Sequence, residues 1–277
     1  MDCHMLYDLH CHSTCSDGSL EPEQLVQRAT DAGVEVLAIT DHDTTAAFGR
    51  LPPCTNSPIQ VIPAIEFSTT WRKIGVHIVG LNIDPDSDAM RAGCHYQQQA
   101  RKQRAEQIAE KLHHLGLPDT LEGAKAQAGS DIVGRPHFAQ HLIEIGVVSN
   151  MRQAFKKYLG SGKPGDVKQL WATLPQIIQW IRDAGGTAVL AHPDKYNLTR
   201  TKLLALADDF MAVGGQGMEV VSGRQPPPLT RDLAKICEQK ALLASCGSDF
   251  HQPGQPWAEL GQFPGLPDIC RPVWDHW

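Results

Sequence analysis

His10 and His12 stand two residues apart in the run Leu9-His10-Cys11-His12-Ser13-Thr14-Cys15-Ser16-Asp17-Gly18. On an extended strand that spacing sends both imidazoles off one face, where they can grip a single metal ion. Asp17, on the turn that follows, can reach a neighbouring ion. Imidazole and carboxylate with no close cysteine pair suit zinc, manganese or iron better than a soft thiolate site. Cys11, between the two histidines, must point the other way. Asp249-Phe250-His251 repeats the spacing near the other end of the chain. Between them lie His42, Glu66, His77 and His192, each at or near the end of a run that reads as a strand.

These nine side chains are too many for one ion. Three sites of three to four protein ligands, with a carboxylate bridging two ions, would use them well. Closely spaced divalent ions are a standard device for hydrolysing phosphate esters, because they acidify the attacking water and neutralise phosphoryl charge. Asp41 and Asp43 flank His42 and could orient ligands or touch the substrate.

Strands must bring those residues to one place. Leu6 to His10 reads as the first, and a helix with Ser19 as cap, Pro22 in its first turn and Gly33 at its end leads to Val34–Thr40. Strand, helix and strand make a βαβ unit with parallel strands. Gln60–Glu66 and Gly75–Leu81 follow, joined by so short a link that a hairpin is expected there. Three further strands, Thr187–Ala191, Gly217–Val221 and Leu242–Gly247, alternate with helices. The first of these helices is capped at Thr173. Parallel strands closing into a barrel bring their C-terminal ends to one mouth. The Pro- and Trp-rich tail is expected to wrap that barrel.

From about Tyr96 the chain turns polar, basic and helical. Asp119-Thr120-Leu121-Glu122 has the form of a capping box, Gly134-Arg135-Pro136-His137 opens a helix, and Ser149 is a candidate cap for the next. Ile108, Leu112 and Leu115, and then Phe138, Leu142 and Ile145, follow helical spacing. Residues 98–167 read as an all-helical insertion into a barrel made of 1–97 and 168–277. Between Arg101 and Lys168, eleven basic residues face seven acidic ones, which leaves −10 on the remainder of a chain whose net charge is −6. A basic segment beside an acidic body fits a cation-binding core with a phosphate-gripping lid.

The chain has 277 residues, 42% apolar and 20% charged. Its acidic balance argues against a general nucleic-acid coating surface. The eight cysteines (Cys3, Cys11, Cys15, Cys54, Cys94, Cys237, Cys246 and Cys270) include no Cys-x-x-Cys pair, and free thiols are expected. No apolar run is long enough to span a membrane, and the start carries no basic-then-apolar leader, so a cytoplasmic protein is expected. No protein partner is inferable.

Asp8-Leu9-His10-Cys11-His12 through Gly18, with Ile39-Thr40-Asp41-His42-Asp43, closely resembles the polymerase and histidinol phosphatase (PHP) family. Pro63-Ala64-Ile65-Glu66, Val76-His77-Ile78-Val79-Gly80, Ala191-His192-Pro193 and Gly247-Ser248-Asp249-Phe250-His251 agree in order and context. The resemblance implies a distorted (β/α)7 TIM-like barrel holding two or three divalent ions, manganese first, with zinc or iron as alternatives. It implies one ion on His10, His12, Glu66 and Asp249, a second on Glu66, His77 and His192, and a third on Asp17, His42 and His251. Glu66, His192 and Asp249 would be the catalytic residues, holding the attacking hydroxide.

Arg101-x-x-Arg104, Gly134-Arg135-Pro136-His137 and Tyr158-Leu159-Gly160-Ser161-Gly162-Lys163-Pro164 look like the subgroup of nucleoside 3′,5′-bisphosphate phosphatases, whose relatives also trim RNA 5′ ends. That subgroup usually continues with a Tyr-Val-type run, where this chain has Gly165-Asp166-Val167. Arg135, at a helix N-terminus, is the leading phosphate ligand. Arg101, Lys102, Arg104, His137, Lys163 and Asp43 are further substrate candidates. The implied reaction is metal-dependent removal of the 3′-phosphate from a nucleoside 3′,5′-bisphosphate. The alternatives are 5′→3′ exonuclease action on short 5′-phosphorylated RNA and a catalytically silent metal-binding module.

Overall fold

A computed structural model describes residues 5–52, 58–128, 133–167 and 170–277. Cys3, Cys54 and Lys168 lie outside them. The chain divides into two units, Met1–Cys94 with Ala172–Trp277, and His95–Trp171. The sequence-derived insertion, 98–167, falls within the second.

The first unit is a ring of seven strands. They are β1 (Tyr7–Cys11), β2 (Val36–Ile39), β3 (Gln60–Trp71), β4 (Ile74–Leu81), β5 (Thr187–Leu190), β6 (Gly217–Ser222) and β7 (Leu243–Gly247), hydrogen-bonded in sequence order. The ring closes where Asp249 N–H donates to the His10 carbonyl at 2.8 Å and His12 N–H to that of Phe250 at 2.9 Å. β1, β2 and β3 run parallel, as do β5, β6 and β7, whereas β4 is antiparallel to both neighbours. Its reversal follows from the two-residue turn Arg72-Lys73, with φ of +46° and +70°, the geometry of a tight hairpin. β3 also runs five residues past Glu66, to Trp71.

Helices α1 (Pro22–Asp31) and α2 (Ala46–Arg50) pack on the first strands, and α3 (Asp88–His113) carries the chain into the second unit. There α4 (Thr120–Ala128), α5 (Arg135–Glu144) and α6 (Met151–Ala154), with a π-helical turn Phe155–Leu159, enclose a core of Ile108, Leu112, Phe138, Leu142 and Leu159. α7 (Leu174–Asp183), α8 (Arg200–Ala212) and α9 (Pro227–Lys240) return to the barrel. α7 shows why the sequence folds as it does. Thr173 and Gln176 make a reciprocal capping box, and Ile177, Ile178 and Ile181 are fully buried. Each such side chain contributes about 1.5–3 kcal/mol through burial.

Some local expectations change. α1 is capped by Glu21, whose side chain and Gln24 form the box, rather than by Ser19. Asn150, not Ser149, caps α6, its side chain accepting the N–H of Gln153. Leu115 and Ile145 lie past the ends of α3 and α5 and are exposed. The tail does cover one end of the barrel: Arg271 C=O accepts from Ala244 N–H, Val273 joins the core of Leu9, Val36 and Ile62, and Trp274 stacks on Tyr7 with ring centroids 3.9 Å apart.

Candidate metal centre

Glu66 is fully buried, and five imidazoles surround its carboxylate. Oε1 lies 2.9 Å from His77 Nδ1, 2.9 Å from His192 Nε2 and 3.4 Å from His10 Nε2. Oε2 lies 2.8 Å from His42 Nδ1 and 3.4 Å from His12 Nε2. The rings themselves close a circuit: His10–His12 centroids are 5.2 Å apart, His12–His42 4.6 Å, His42–His77 5.0 Å, His77–His192 5.2 Å and His192–His10 5.6 Å.

Asp249 and Asp17 flank the circuit. Asp249 Oδ1 is 3.5 Å from His10 Nε2 and 3.3 Å from His12 Nε2. Asp17 approaches His251 Nε2 at 3.4 Å and His42 Nε2 at 3.7 Å. All nine side chains named from the sequence therefore meet at one end of the first unit. Three overlapping groups have donor atoms mutually within 4.8 Å: His12, Asp17, His42 and His251; His10, His12 and Glu66; and His42, Glu66 and His77.

Each element delivers its residue for a physical reason. His10 and His12 leave the same face at the end of β1 and beyond it. Cys11, between them, turns into the apolar layer of Leu37, Ile39 and Phe250. His42 and His192 follow β2 and β5. His77 departs from the expected rule: it sits fourth in β4, and it reaches the mouth because that strand runs backward, opposite Ser68. His192 and Asp249 hold left-handed backbones, with φ of +23° and +54°. Such residues cost of order 1–3 kcal/mol each and persist where surrounding structure fixes them.

The electrostatics favour cations. Burial alone would raise the Glu66 pKa, but His77, His42 and His10 hold it well below the usual carboxylate range. Burial opposes charge on His10, yet the carboxylates of Glu219 and Glu66 outweigh it and push that imidazole up to about 10. His12 is held well below its usual value by burial and by His251 and His42. Glu66 Oε2, His12 Nδ1 and His192 Nδ1 are buried and make no hydrogen bond. Buried polar atoms are normally satisfied. Divalent ions would supply what these lack, and hard-to-borderline O and N donors fit manganese, zinc or iron.

Around this centre lie residues the sequence reading did not single out. Glu219, in β6, accepts from His10 Nδ1 and from His192 N–H. Tyr196 accepts from His77 N–H at 2.9 Å and donates to Ala191 C=O at 2.8 Å, pinning β4 beside β5. Lys195 Nζ donates to Asp249 Oδ2. Asp41, which the sequence did place beside His42 as a residue able to orient ligands or touch substrate, accepts from Ser13 N–H, Ser13 Oγ and Ser16 Oγ, which fixes the turn that carries Asp17.

The substrate candidates are placed differently. Asp43 is fully buried, and its two oxygens accept the N–H (2.8 Å) and hydroxyl (3.0 Å) of Ser68. These two bonds brace β3. In the second unit, Arg101 and Arg104 are buried with both guanidinium groups 5.2 Å from the Trp171 ring centroid, and Arg104 Nε donates to Val167 C=O. Arg135 donates to Leu159 C=O, and burial lowers its pKa. His137 Nδ1 accepts from Gly134 N–H as part of the α5 cap. Lys102 and Lys163 are exposed. Asp166, where the chain departs from its subgroup, accepts from Gly162 N–H at 2.7 Å.

Known proteins are similar to this chain along nearly its whole length. A 5′-3′ exoribonuclease of Haemophilus influenzae is 45% identical over 270 residues, covering 97% of this chain and 98% of its own. A 3′,5′-nucleoside bisphosphate phosphatase of Chromobacterium violaceum is 40% identical over 269 residues, covering 96% and 94%. The solved structure of an amidohydrolase from the same organism, with bound sulfate and no metal, superposes with a TM-score of 0.90 at 40% identity, over 98% of this chain and 95% of that one. The PHP domain profile matches residues 8–184. With the strand-end histidines meeting around Glu66, the chain belongs to the PHP domain family.

Proposed function

We propose that this protein is a metal-dependent phosphoesterase that removes the 3′-phosphate of nucleoside 3′,5′-bisphosphates, giving nucleoside 5′-monophosphate and phosphate. The observation that carries the reading is the buried Glu66 carboxylate ringed by His10, His12, His42, His77 and His192. We assign one ion to His10, His12, Glu66 and Asp249, a second to Glu66, His77 and His192, and a third to Asp17, His42 and His251. Manganese is our first choice of metal. Bound ions would acidify the attacking water and offset charge on the phosphoryl oxygens.

The chain's own residues do the rest. Glu66, by its central place, holds the imidazoles in register. Asp249 pairs with Lys195, and Lys195, nearly half exposed, is a cation this unit can offer to a phosphoryl oxygen. Arg135, with Arg101 and Arg104, remains our choice for the second phosphate, on the strength of the motifs around them. The free thiols among the described residues suit a reducing compartment, and we place the enzyme in the cytoplasm. Among the described residues, no helix is long and apolar enough to cross a membrane.

A second reading is 5′→3′ exonuclease action on short RNA, favoured by the 45% identity to a protein of that name. Both reactions place a 3′-phosphoester at the same centre. Incubating the manganese-loaded protein with adenosine 3′,5′-bisphosphate and with a 5′-phosphorylated oligoribonucleotide separates them. Phosphate release from the bisphosphate at the higher kcat/KM supports the first reading, and turnover of the oligonucleotide alone overturns it. Turnover of neither would support the silent metal-binding module.

A further inference from the structure

Glu219 lies in the apolar run Gly217-Met218-Glu219-Val220-Val221 of β6 and is 1% exposed. A buried carboxylate in such a strand costs several kcal/mol unless both oxygens are satisfied. Here both are. Oε1 lies 2.5 Å from His10 Nδ1, and Oε2 accepts from the backbone N–H of His192 at 2.5 Å. A carboxylate can only accept, so His10 Nδ1 carries a hydrogen, and Nε2 is the nitrogen left to face Glu66, His12 and Asp249, where an ion would take its place. The same carboxylate fixes His192 in its left-handed backbone (φ +23°, ψ +62°). β6 shifts register against β7 just past Glu219, between it and Val221, which is how a barrel strand re-aims a side chain.

We propose that Glu219 is a positioning residue that ties two ion positions together, setting the tautomer of His10 at one and the backbone of His192 at the other. Its assignment rests on the ion sites proposed above. One carboxylate thus spans two ligands from β1 and β5, and neither ion position is independent of it. Glu219→Gln keeps the size of the side chain, but one end of its amide is a donor facing a donor. With the amide nitrogen facing His192 N–H that contact is lost; with it facing His10, Nδ1 must give up its hydrogen, which moves to Nε2 where an ion would bind. Glu219→Asp keeps the charge but is one methylene too short to span both.

The test uses the full chain, stripped with chelator and titrated with Mn²⁺ by calorimetry. Loss of such a supporting carboxylate weakens metal binding about 10–100-fold, and that is the expected result for Glu219→Gln. Proton NMR of the stripped protein should show a far-downfield His10 Nδ1–H signal in the wild type that Glu219→Gln loses or moves upfield. A purely structural role would lower the melting temperature of the stripped variant and leave both readouts alone. Manganese affinity within twofold of wild type in Glu219→Gln overturns the proposal. Should that variant fail to fold, Glu219→Asp is decisive by the same criterion. A wild-type protein that binds no Mn²⁺ would instead overturn the ion sites, while the NMR signal would still report on the Glu219–His10 contact.

Discussion

Replacing Asp41 tests whether a residue with no place among the ligands holds the metal loop. Its Oδ1 accepts Ser13 N–H at 2.8 Å and Ser16 Oγ–H at 2.6 Å, and Oδ2 accepts Ser13 Oγ–H at 2.6 Å. Ser13 is fully buried and Ser16 nearly so. Asp41→Ala removes all three hydrogen bonds. The hydroxyls can swing to other partners, but the Ser13 N–H cannot. Hydrogen bonds to a charged group contribute about 1.5–3 kcal/mol each. One stranded amide with partial loss of the hydroxyl contacts therefore gives about 3–5 kcal/mol, against a total stability of about 5–15 kcal/mol. Asp41→Asn keeps an oxygen for Ser13 N–H and Ser16. Its amide can donate to Ser13 Oγ, which already accepts from Cys15 N–H, so the expected cost is about 1–2 kcal/mol. Urea unfolding of the stripped protein, followed by tryptophan fluorescence, reads both values. A loss under about 1 kcal/mol in the alanine variant, or an asparagine variant no better than alanine, refutes the reasoning.

Chelation should abolish turnover, and Mn²⁺ at a hundred times its Kd should raise unfolding stability by about 2.7 kcal/mol per ion; an unchanged melting curve would contradict the ion sites. Lys195→Met should lower kcat/KM about 10–100-fold without weakening Mn²⁺ binding, since Lys195 competes for the Asp249 carboxylate; calorimetry beside steady-state assays checks it. Burial pushes the Cys237 thiol up to about 12 and that of Cys94 up to about 11. The folded state keeps those protons where the unfolded chain loses them, so this part of the stability falls as pH climbs from about 9 towards 11–12. At pH 8 both thiols should alkylate at least about a hundredfold more slowly in the folded protein than in urea, and equal rates would rule out the burial.

Most of the centre was legible because its residues mark strand ends. His10, His12, His42, His192 and Asp249 sit where a repeating strand-and-helix rhythm must turn, so periodicity placed them without coordinates. His77 obeyed a different rule: only the reversal of β4, set by the Arg72-Lys73 turn, brings a residue from within a strand to the mouth. Glu219 was passed over because its neighbours read as an ordinary buried strand, although a lone carboxylate among Met218, Val220 and Val221 signals a hidden partner. Asp43 was legible only in part. Its place beside His42 is plain in sequence, but only the register of β3 shows that Ser68 donates to both its oxygens. Lys195 and Tyr196 depend on the left-handed bend at His192, which no local pattern announces.

The joint between β1 and β7, made by Asp249 N–H to His10 C=O and by His12 N–H to Phe250 C=O, has a consequence for how the enzyme matures. Of the six histidines at the centre, His10, His12, His42 and His77 precede the long helices and are synthesised early, and Glu66 and His77 are joined by a hairpin that can form locally. The centre nonetheless lacks Asp249 and His251 until the last strand docks beside the first. Full ion capture thereby becomes a report on finished folding, and a chain interrupted anywhere before β7 leaves its histidines without their closing carboxylate.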